Sequence, residues 1–287
     1  MKTRRLFYED VYIQEFEAIV LSCEEKDGKY HVILNATAFY PEGGGQPADK
    51  GMIDNIPVVD VQYIDGELCH IMESPLEEGA QVVGKIDWNW RFDLMQQHSG
   101  EHIVSGMIHE KYGYENVGFH MGEEIITIDL SGMLTWQQVQ EIEKKVNYYI
   151  WMNQQVNIFY PDERQRKFIP YRSKKELTGE IRLVEFPGAD LCACCGLHVT
   201  HASQIGLVKI LSCKKFRDGV RMEMLSGKRA LDYLSGSTEQ NSQIAVSLSV
   251  KENETKEAVQ RLLDEVYDLK GQLAQEKQKS FEAKAAS

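Results

Sequence analysis

With 287 residues and 43% hydrophobic content, the chain is long enough for two domains with full cores, which excludes the disordered and fibrous classes. A net charge of -12 argues against a protein that holds nucleic acid by bulk electrostatics, because neutralising phosphates needs clustered Lys and Arg. No segment has the apolar length of a membrane span, and no apolar run follows the basic N-terminal residues, so we expect a cytoplasmic protein.

The first region, residues 1–90, is predicted to be an antiparallel β-barrel or small sandwich, because short β-rich runs alternate in it with turn residues. The Asp27-Gly28 pair predicts a hairpin, since both residues tolerate positive φ. A loop from Phe39 to Gly51 interrupts the strands and contains consecutive glycines from Gly43 to Gly45. Such glycines expose backbone N–H groups and let a ligand approach the main chain closely. A plain flexible turn is the alternative interpretation.

Residues 91–235 are predicted to form an α+β domain with helices on one side of a mostly antiparallel sheet. Apolar spacing predicts a helix from Arg91 to about Tyr112, followed by a hairpin from Asn116 to Leu130. Thr135 is the predicted N-cap of a second helix that ends near Trp151. Further strands are predicted at residues 156–160, 181–186, 205–211 and 220–225.

The last region, residues 236–287, is rich in Glu, Lys, Gln and Ala, and its apolar residues step by three and four. This spacing predicts a coiled coil or helical hairpin, and it is compatible with a homodimer formed through the C-terminal helices. The stripe reaches Ser287 with nothing to pack against, so we expect a further C-terminal domain beyond it. A frayed terminal helix is the alternative.

Two short motifs predict a metal site. His98 and His102 are four residues apart, which places both imidazoles on one face of a helix. About ninety residues later, Cys194 and His198 repeat the same spacing beside a glycine. Three nitrogens and one sulfur are a ligand set that zinc accepts. Ordinary helix histidines and a buried cysteine are the alternative.

The chain has six cysteines and no secretion signal, so a reduced compartment is the better assumption and the Cys192 to Cys195 cluster is interpreted as metal-binding. Cys194 keeps the four-residue separation from His198, whereas Cys192 and Cys195 remain alternatives as ligands. Two basic segments are candidate nucleic-acid contacts, although a solvated surface explains each equally well. They consist of Arg164, Arg166, Lys167, Arg172, Lys174 and Lys175, and of Lys214, Lys215, Arg217 and Arg221.

The motifs in this order resemble the editing domain of alanyl-tRNA synthetase and the free-standing alanyl-tRNA editing proteins. The resemblance covers nearly the whole chain. The matching stretches are Thr37 to Pro47, His98 to His102, Cys194 to His198, and Val199 to Gly206. The family usually has Cys-Gly-Gly-Thr-His at the third stretch, whereas here Cys195, Gly196 and Leu197 separate Cys194 from His198.

The resemblance implies an N-terminal β-barrel domain, an α/β editing domain like that of threonyl-tRNA synthetase, and a C-terminal helical segment. The implied activity is hydrolysis of mischarged tRNA(Ala), chiefly Ser-tRNA(Ala), with Gly-tRNA(Ala) as a second candidate. Carried over residue by residue, the zinc ligands are His98, His102, Cys194 and His198. Thr37 matches the threonine linked to recognition of the misattached amino acid, and Gln46 ends the glycine loop that lines the pocket.

Remaining roles are hypotheses from chemistry. The N–H groups of Gly43, Gly44 and Gly45 can donate to a developing oxyanion, and Glu101 and His120 are candidate proton-transfer groups. Two other functional classes compete with editing. One is a structural zinc protein with a helical dimerisation tail, and the other is a metallohydrolase acting on small esters or amides.

Overall fold

The computed structural model describes residues 2–173 and 179–285. The chain divides into two compact units, Met1–Leu231 and Asp232–Ser287. The structure confirms a mixed α and β protein with several sheets and a helical C-terminal region. The predicted domain boundary near residue 90 falls within the first unit.

Six strands near the N-terminus are hydrogen-bonded in the closed order β2-β3-β7-β6-β5-β8, and all their pairings are antiparallel. Alternate residues of β2 face inward, including Phe16, Ala18 and Val20, because successive side chains of a strand point to opposite faces. The strands are β2 Glu15–Lys26, β3 Lys29–Leu34, β5 Gly51–Ile53, β6 Ile56–Ile64, β7 Glu67–Met72 and β8 Gln81–Ile86.

Three of the hairpins in this closed sheet turn through two residues that both have positive φ. The predicted Asp27-Gly28 turn is confirmed, with φ of 53° and 74°. Asp54-Asn55 and Asp65-Gly66 turn in the same way. Asp, Asn and Gly tolerate this left-handed backbone, which matches the twist of the flanking strands and fixes their register.

Short elements flank this sheet. A parallel pair is formed by β1 Arg4–Arg5 and β4 Ala36–Thr37, and helix α1 covers Leu6–Glu9. The glycine loop leaves β4 and returns at β5.

Two further sheets follow in the first unit. The four-stranded sheet has the order β14-β15-β10-β9 and the three-stranded sheet the order β11-β12-β13. The strands are β9 Asn116–Met121, β10 Ile126–Leu130, β11 Asn157–Phe159, β12 Leu183–Phe186, β13 Asp190–Ala193, β14 Val208–Phe216 and β15 Gly219–Ser226. The helices are α2 Trp88–Tyr112, α3 Trp136–Trp151 and α4 Glu163–Arg166.

The predicted hairpin from Asn116 to Leu130 is confirmed as β9 and β10. Thr135 caps α3 as predicted, since its side chain accepts a hydrogen bond from the Gln138 N–H. Helix α2 begins three residues before the predicted Arg91, because Asp87 supplies the N-cap by accepting from the Trp90 N–H.

Two glycines let α2 lie unusually close to its neighbours. A Cβ at Gly100 would stand 2.1 Å from Ser226 Oγ at the end of β15, and one at Gly106 would stand 2.3 Å from Ala189 O in the β12–β13 turn. Glycine lowers helix propensity, so its presence here is explained by close packing rather than by helix stability. This packing brings the histidine face of α2 next to β13.

A buried ion pair joins the start of α2 to the glycine loop. The Arg91 side chain is fully buried and binds the equally buried Asp49 through both Nε and Nη2. Its remaining N–H groups donate to the carbonyls of Val11 and Ala38. Asp49 in turn accepts from the Tyr40 N–H at 2.5 Å. One guanidinium therefore fixes the loop at both ends relative to the helix.

Helix α5, Gly227–Leu248, begins in the first unit, and the second unit contains it from Asp232 onward. A 3-10 turn at Glu252–Glu254 and helix α6, Thr255–Ala285, follow. The Asn241 side chain ties the two helices together, donating to Glu252 O and accepting from Thr255 Oγ1. The predicted helical region is therefore confirmed, and the apolar stripe of α6 is exposed. Dimerisation through it stays a prediction.

Some expectations concern residues that are not described. Lys174 and Lys175 of the first basic segment, and the continuation expected at Ser287, lie outside the described residues. Within the described part of the chain, no helix combines the length and apolarity needed to cross a membrane.

Replacing Arg91 by methionine is expected to lower the free energy of unfolding by about 3–5 kcal/mol, because a buried carboxylate is left without its partner. Urea unfolding followed by tryptophan fluorescence measures this, since the Trp90 indole donates to Ala48 O in the same loop. Arg4→Met is the control, since the Arg4 ion pair with Glu9 is exposed, and it should change little. Equal effects of the two substitutions would contradict a special role for Arg91.

Candidate metal centre

Four side chains from two parts of the first unit converge at one point. His98 and His102 come from α2, while Cys194 and His198 come from the segment after β13. One ligand atom of each lies within 4.8 Å of those of the other three. His98 Nε2 is 3.4 Å from Cys194 Sγ, and the His198 ring centroid is 4.4 Å from that of His98 and 4.6 Å from that of His102.

Each imidazole is oriented through its Nδ1 atom. His98 Nδ1–H donates to Gln46 Oε1 at 3.0 Å, and His102 Nδ1–H donates to Asp190 Oδ2 at 2.8 Å. His198 Nδ1 is 3.4 Å from Ser99 Oγ. Outer partners of this kind fix the ring orientation of metal-binding histidines. The Nε2 atoms of the three histidines therefore remain available to bind a ligand at the centre of the cluster.

The chemistry of the donor set fits a zinc ion. Imidazole nitrogens and thiolates are both donors that zinc accepts, and four such donors complete a tetrahedral shell. His198 Nε2 is buried and has no hydrogen-bond partner, a costly arrangement unless a ligand occupies the centre. His98, His102, Cys194 and His198 are the residues that would hold the ion.

The protonation states of the cluster also suit metal binding. Burial alone would raise the pKa of the Cys194 thiol, but the charges and hydrogen bonds of the surrounding histidines outweigh it and hold that pKa well below the ordinary value. Burial, together with the other two imidazoles, lowers the pKa of His198 well below its usual range. For His102, burial opposes the charged form, but Asp190 and Cys194 raise its pKa to about 10. A cation at the centre would displace the Nε2 proton of His102, while its Nδ1–H would keep the hydrogen bond to Asp190.

Among the three clustered cysteines, the structure brings Cys194 to the three histidines. Cys195 Sγ instead accepts a hydrogen bond from the Tyr40 hydroxyl at 3.7 Å and lies 2.9 Å from the Cβ position of Gly44. Cys192 forms a second possible donor group, with His102 and Asp190, but its burial raises the pKa of the thiol. The second group shares His102 with the first, so it is part of the same centre.

Two residues between Cys194 and His198 fit the cluster closely. A Cβ at Gly196 would lie 2.1 Å from His98 Cε1 and 2.9 Å from Gln46 Oε1, so only glycine fits there. Leu197 donates its N–H to Gln46 Oε1 at 2.9 Å and buries its side chain completely. The backbone of this residue contributes the contact, and its side chain adds apolar packing.

The cluster forms part of the wall of a cavity of about 620 Å³. Gly44 and Gly45 also line this cavity, with φ of 64° and 85°, and Phe119 stacks on the His98 ring with centroids 5.5 Å apart. Glu101 also lines the cavity, and the Ser105 hydroxyl and the Asn116 amide donate to its carboxylate. The remaining lining residues include Arg5, Tyr8, Tyr160, Arg172, Glu180 and Arg182.

Comparison with known proteins identifies the family. Residues 5–90 match the family described as tRNA synthetases class II (A), and residues 181–222 match the threonyl and alanyl tRNA synthetase second additional domain. The alanyl-tRNA editing protein Aarsd1-B of Xenopus laevis is 34% identical over 270 residues, which cover 88% of this chain and 66% of the relative. The chain belongs to the alanyl-tRNA editing protein family.

Other relatives extend this comparison. The alanyl-tRNA editing protein AlaX-L of Pyrococcus horikoshii is 32% identical over 80% of this chain and 60% of its own length. An alanine–tRNA ligase of Ignicoccus hospitalis is 35% identical over 80% of this chain but only 26% of the ligase. The chain spans at most about two thirds of the length of these curated relatives.

Within this member of the alanyl-tRNA editing family, two predicted residues lie away from the cavity wall. Thr37 is fully buried, and its hydroxyl lies 2.8 Å from His70 Nε2 while accepting from the Phe39 N–H. His70 Nδ1–H donates to Val32 O, and burial lowers the pKa of His70 to about 4, so the neutral ring accepts the Thr37 proton. His120 is exposed on β9 and lines a separate cavity of about 310 Å³ together with Gln46.

Several contacts at the centre had no signal in the sequence. Asp190 orients His102 and also accepts a hydrogen bond from Arg172 Nε at 2.7 Å. Burial would raise the pKa of Asp190, but His102 and Arg172 hold this pKa below its usual range. Arg182 Nη1 donates to the carbonyls of Cys194 and Gly196. Neither Asp190 nor Arg182 stands at a recognisable spacing from the ligands, so only the folded chain reveals them.

Cys194→Ser is expected to weaken zinc binding by more than the roughly 10- to 100-fold that loss of an outer partner costs, because a direct sulfur ligand is removed. Cys195→Ser is the matched control, since it changes the neighbouring thiol that contacts Tyr40 instead. Titration against a competing chelator gives both affinities. Stronger loss in Cys195→Ser than in Cys194→Ser would contradict this ligand assignment.

Proposed function

We propose that the chain is an aminoacyl-tRNA deacylase that hydrolyses mischarged tRNA(Ala), chiefly Ser-tRNA(Ala), with Gly-tRNA(Ala) as a second substrate. The observation that carries the proposal is the three-histidine, one-cysteine cluster at the wall of a cavity that Gly44 and Gly45 also line. The names of the relatives, alanyl-tRNA editing proteins and alanine–tRNA ligases, support tRNA(Ala) as the partner.

The reaction is hydrolysis of the ester between the amino acid and the terminal ribose. Water adds to the carbonyl carbon, the bond from that carbon to the ribose oxygen breaks, and the ribose oxygen takes up a proton. Free serine and tRNA result. A zinc ion held by His98, His102, Cys194 and His198 would supply a positive charge that polarises the ester carbonyl and orients the amino acid.

The chain's own groups have distinct roles in this proposal. Glu101, buried beside the cluster, holds the attacking water and moves its proton to the ribose oxygen. Gly44 and Gly45 donate their N–H groups to the oxyanion, because no backbone hydrogen bond among the described residues uses them, whereas the Gly43 N–H already binds Gln46 O. Gln46 positions His98. No step is assigned to His120.

Selectivity against alanine follows from the serine hydroxyl, because a site that hydrogen-bonds this group rejects a substrate that lacks it. Thr37 is proposed to act on that selectivity indirectly. Its proton points to His70, and its oxygen accepts from the Phe39 N–H, which holds the start of the glycine loop in place. Glycine is accepted through its small size.

The decisive experiment compares deacylation of Ser-tRNA(Ala) and Ala-tRNA(Ala). We expect the serine ester to be cleared at least about 100-fold faster, and a chelator or His98→Ala to abolish the activity together with zinc binding. His109→Ala is the matched control on the same helix, because His109 pairs with Glu115 near the surface and should retain both properties. A folded, zinc-loaded protein that deacylates neither tRNA would favour a structural zinc protein instead.

The role of Thr37 has its own test. Thr37→Val keeps the shape of the side chain but removes the hydroxyl contacts with His70 and the Phe39 N–H. We expect lower discrimination between the serine and alanine esters at unchanged zinc content. Unaltered discrimination would remove Thr37 from the proposal.

A further inference from the structure

A group of three cavity-lining residues, Arg5, Tyr8 and Arg182, lies beside the metal centre and is called the basic corner below. The guanidinium carbon of Arg5 lies 5.3 Å from the centroid of the Tyr8 ring, and the guanidinium carbon of Arg182 lies 5.0 Å from it. Two guanidinium groups beside one aromatic ring repel each other unless an anion or the ring electrons offset their charge. None of these three residues takes part in the proposed hydrolysis steps.

Arg182 is the most unusual member of the basic corner. Its side chain lines the cavity although the residue is only 8% exposed. Across residues 2–173 and 179–285, no carboxylate forms an ion pair with Arg182, whereas the buried Arg91 binds Asp49 and the largely buried Arg229 binds Asp93. Arg182 Nε is also buried without a hydrogen-bond partner. A buried charge of this kind is costly unless a ligand pairs with it.

The basic corner is rigidly connected to the metal ligands. Arg182 Nη1 donates to Cys194 O at 2.8 Å and to Gly196 O at 2.9 Å, and the Tyr8 hydroxyl donates to Cys195 O at 2.7 Å. Arg182, which presents positive charge to the cavity, and the neutral Tyr8 therefore together hold three consecutive carbonyls of the cysteine loop. An anion bound there has a fixed distance from the centre.

Charge around the cavity favours a single anionic group. Arg5, Arg172 and Arg182 line it together with Glu101 and Glu180, and Arg172 is already paired with Asp190. The whole chain carries -12, so a polyanion gains little from bulk attraction and has to be held by local cations. At about 620 Å³, the cavity has the size of an ordinary small-ligand pocket, enough for one nucleotide rather than a long nucleic-acid strand.

We infer that the basic corner is a phosphate-binding site for the nucleotide whose amino acid ester faces the metal centre. Arg182 and Arg5 pair with the 5′-phosphate of that nucleotide. The ester lies at the other end of the same nucleotide, so binding the phosphate positions the carbonyl at the cluster. This inference rests on the proposed function, which supplies the ester.

The test compares two small esters that differ only in the phosphate. One is 3′-O-seryladenosine, and the other is the same ester of adenosine 5′-monophosphate. We expect the wild-type protein to prefer the phosphorylated ester, and Arg182→Gln to lower kcat/KM for that ester by about 10- to 100-fold, the usual value of hydrogen bonds to a charged group. Hydrolysis of the phosphate-free ester should change by less than about 3-fold in Arg5→Gln, because Arg5 does not hold the loop that carries Cys194.

Further variants separate anion binding from support of the cysteine loop. Arg5→Gln carries no risk to the loop carbonyls and should show a smaller loss of the same kind. Arg182→Lys should recover part of the preference, and Tyr8→Phe, which removes only the contact with Cys195 O, should retain it. Arg4→Gln is the surface control, because Arg4 pairs with Glu9 and does not line the cavity. Equal losses on both esters in Arg182→Gln and in Arg5→Gln would overturn the inference.

A binding measurement distinguishes failure of the inference from failure of the proposed function. Calorimetry compares adenosine 5′-monophosphate with adenosine on the zinc-loaded protein, without any hydrolysis. Tighter binding of the monophosphate that disappears in Arg182→Gln supports the phosphate site even if neither ester is cleaved, which would refute only the editing function. Equal affinity of the wild-type protein for the two ligands would overturn the phosphate site.

Discussion

The buried Arg91 guanidinium is the contact on which the site geometry depends most. It binds Asp49 and the carbonyls of Val11 and Ala38, so the first turn of α2 and both ends of the glycine loop share one fixed point. Gln46 lies inside that loop, and its side-chain Oε1 accepts a hydrogen bond from His98 Nδ1–H on α2. The distance between the closed sheet and α2 is therefore fixed, and this distance determines where Gln46 contacts His98 at the metal centre.

The centre is assembled by outer partners from separate parts of the first unit. Gln46 comes from the glycine loop, Ser99 from α2 and Asp190 from β13, and each contacts the Nδ1 atom of one histidine. Because the rings are fixed from behind, their Nε2 atoms converge without needing the metal to draw them together. Arg182 adds the fourth support by holding the loop that carries Cys194. A preorganised set of donors binds a cation without a large ordering cost.

Local patterns predicted much of this arrangement. The Asp27-Gly28 turn and the Thr135 cap act within a few residues, so their signals are complete in the sequence. The clustering of His98, His102, Cys194 and His198 was predictable because two four-residue spacings supply these side chains. The roles of Asp190 and Arg182 were not predictable. His102 lies 88 residues from Asp190, and the contacts of Arg182 depend on how β13 and the following loop pack. Thr37 was predicted as a pocket residue, yet its hydroxyl is turned into the closed sheet by His70, a partner with no sequence signal.

The most direct test of the ligand assignment is the X-ray absorption spectrum of the zinc-loaded protein at the zinc edge. The four converging side chains predict a coordination shell of three nitrogen ligands and one sulfur ligand. The sulfur contribution should disappear in Cys194→Ser and persist in Cys195→Ser. A shell with two sulfur ligands, or one with none, would contradict the centre described for His98, His102, Cys194 and His198.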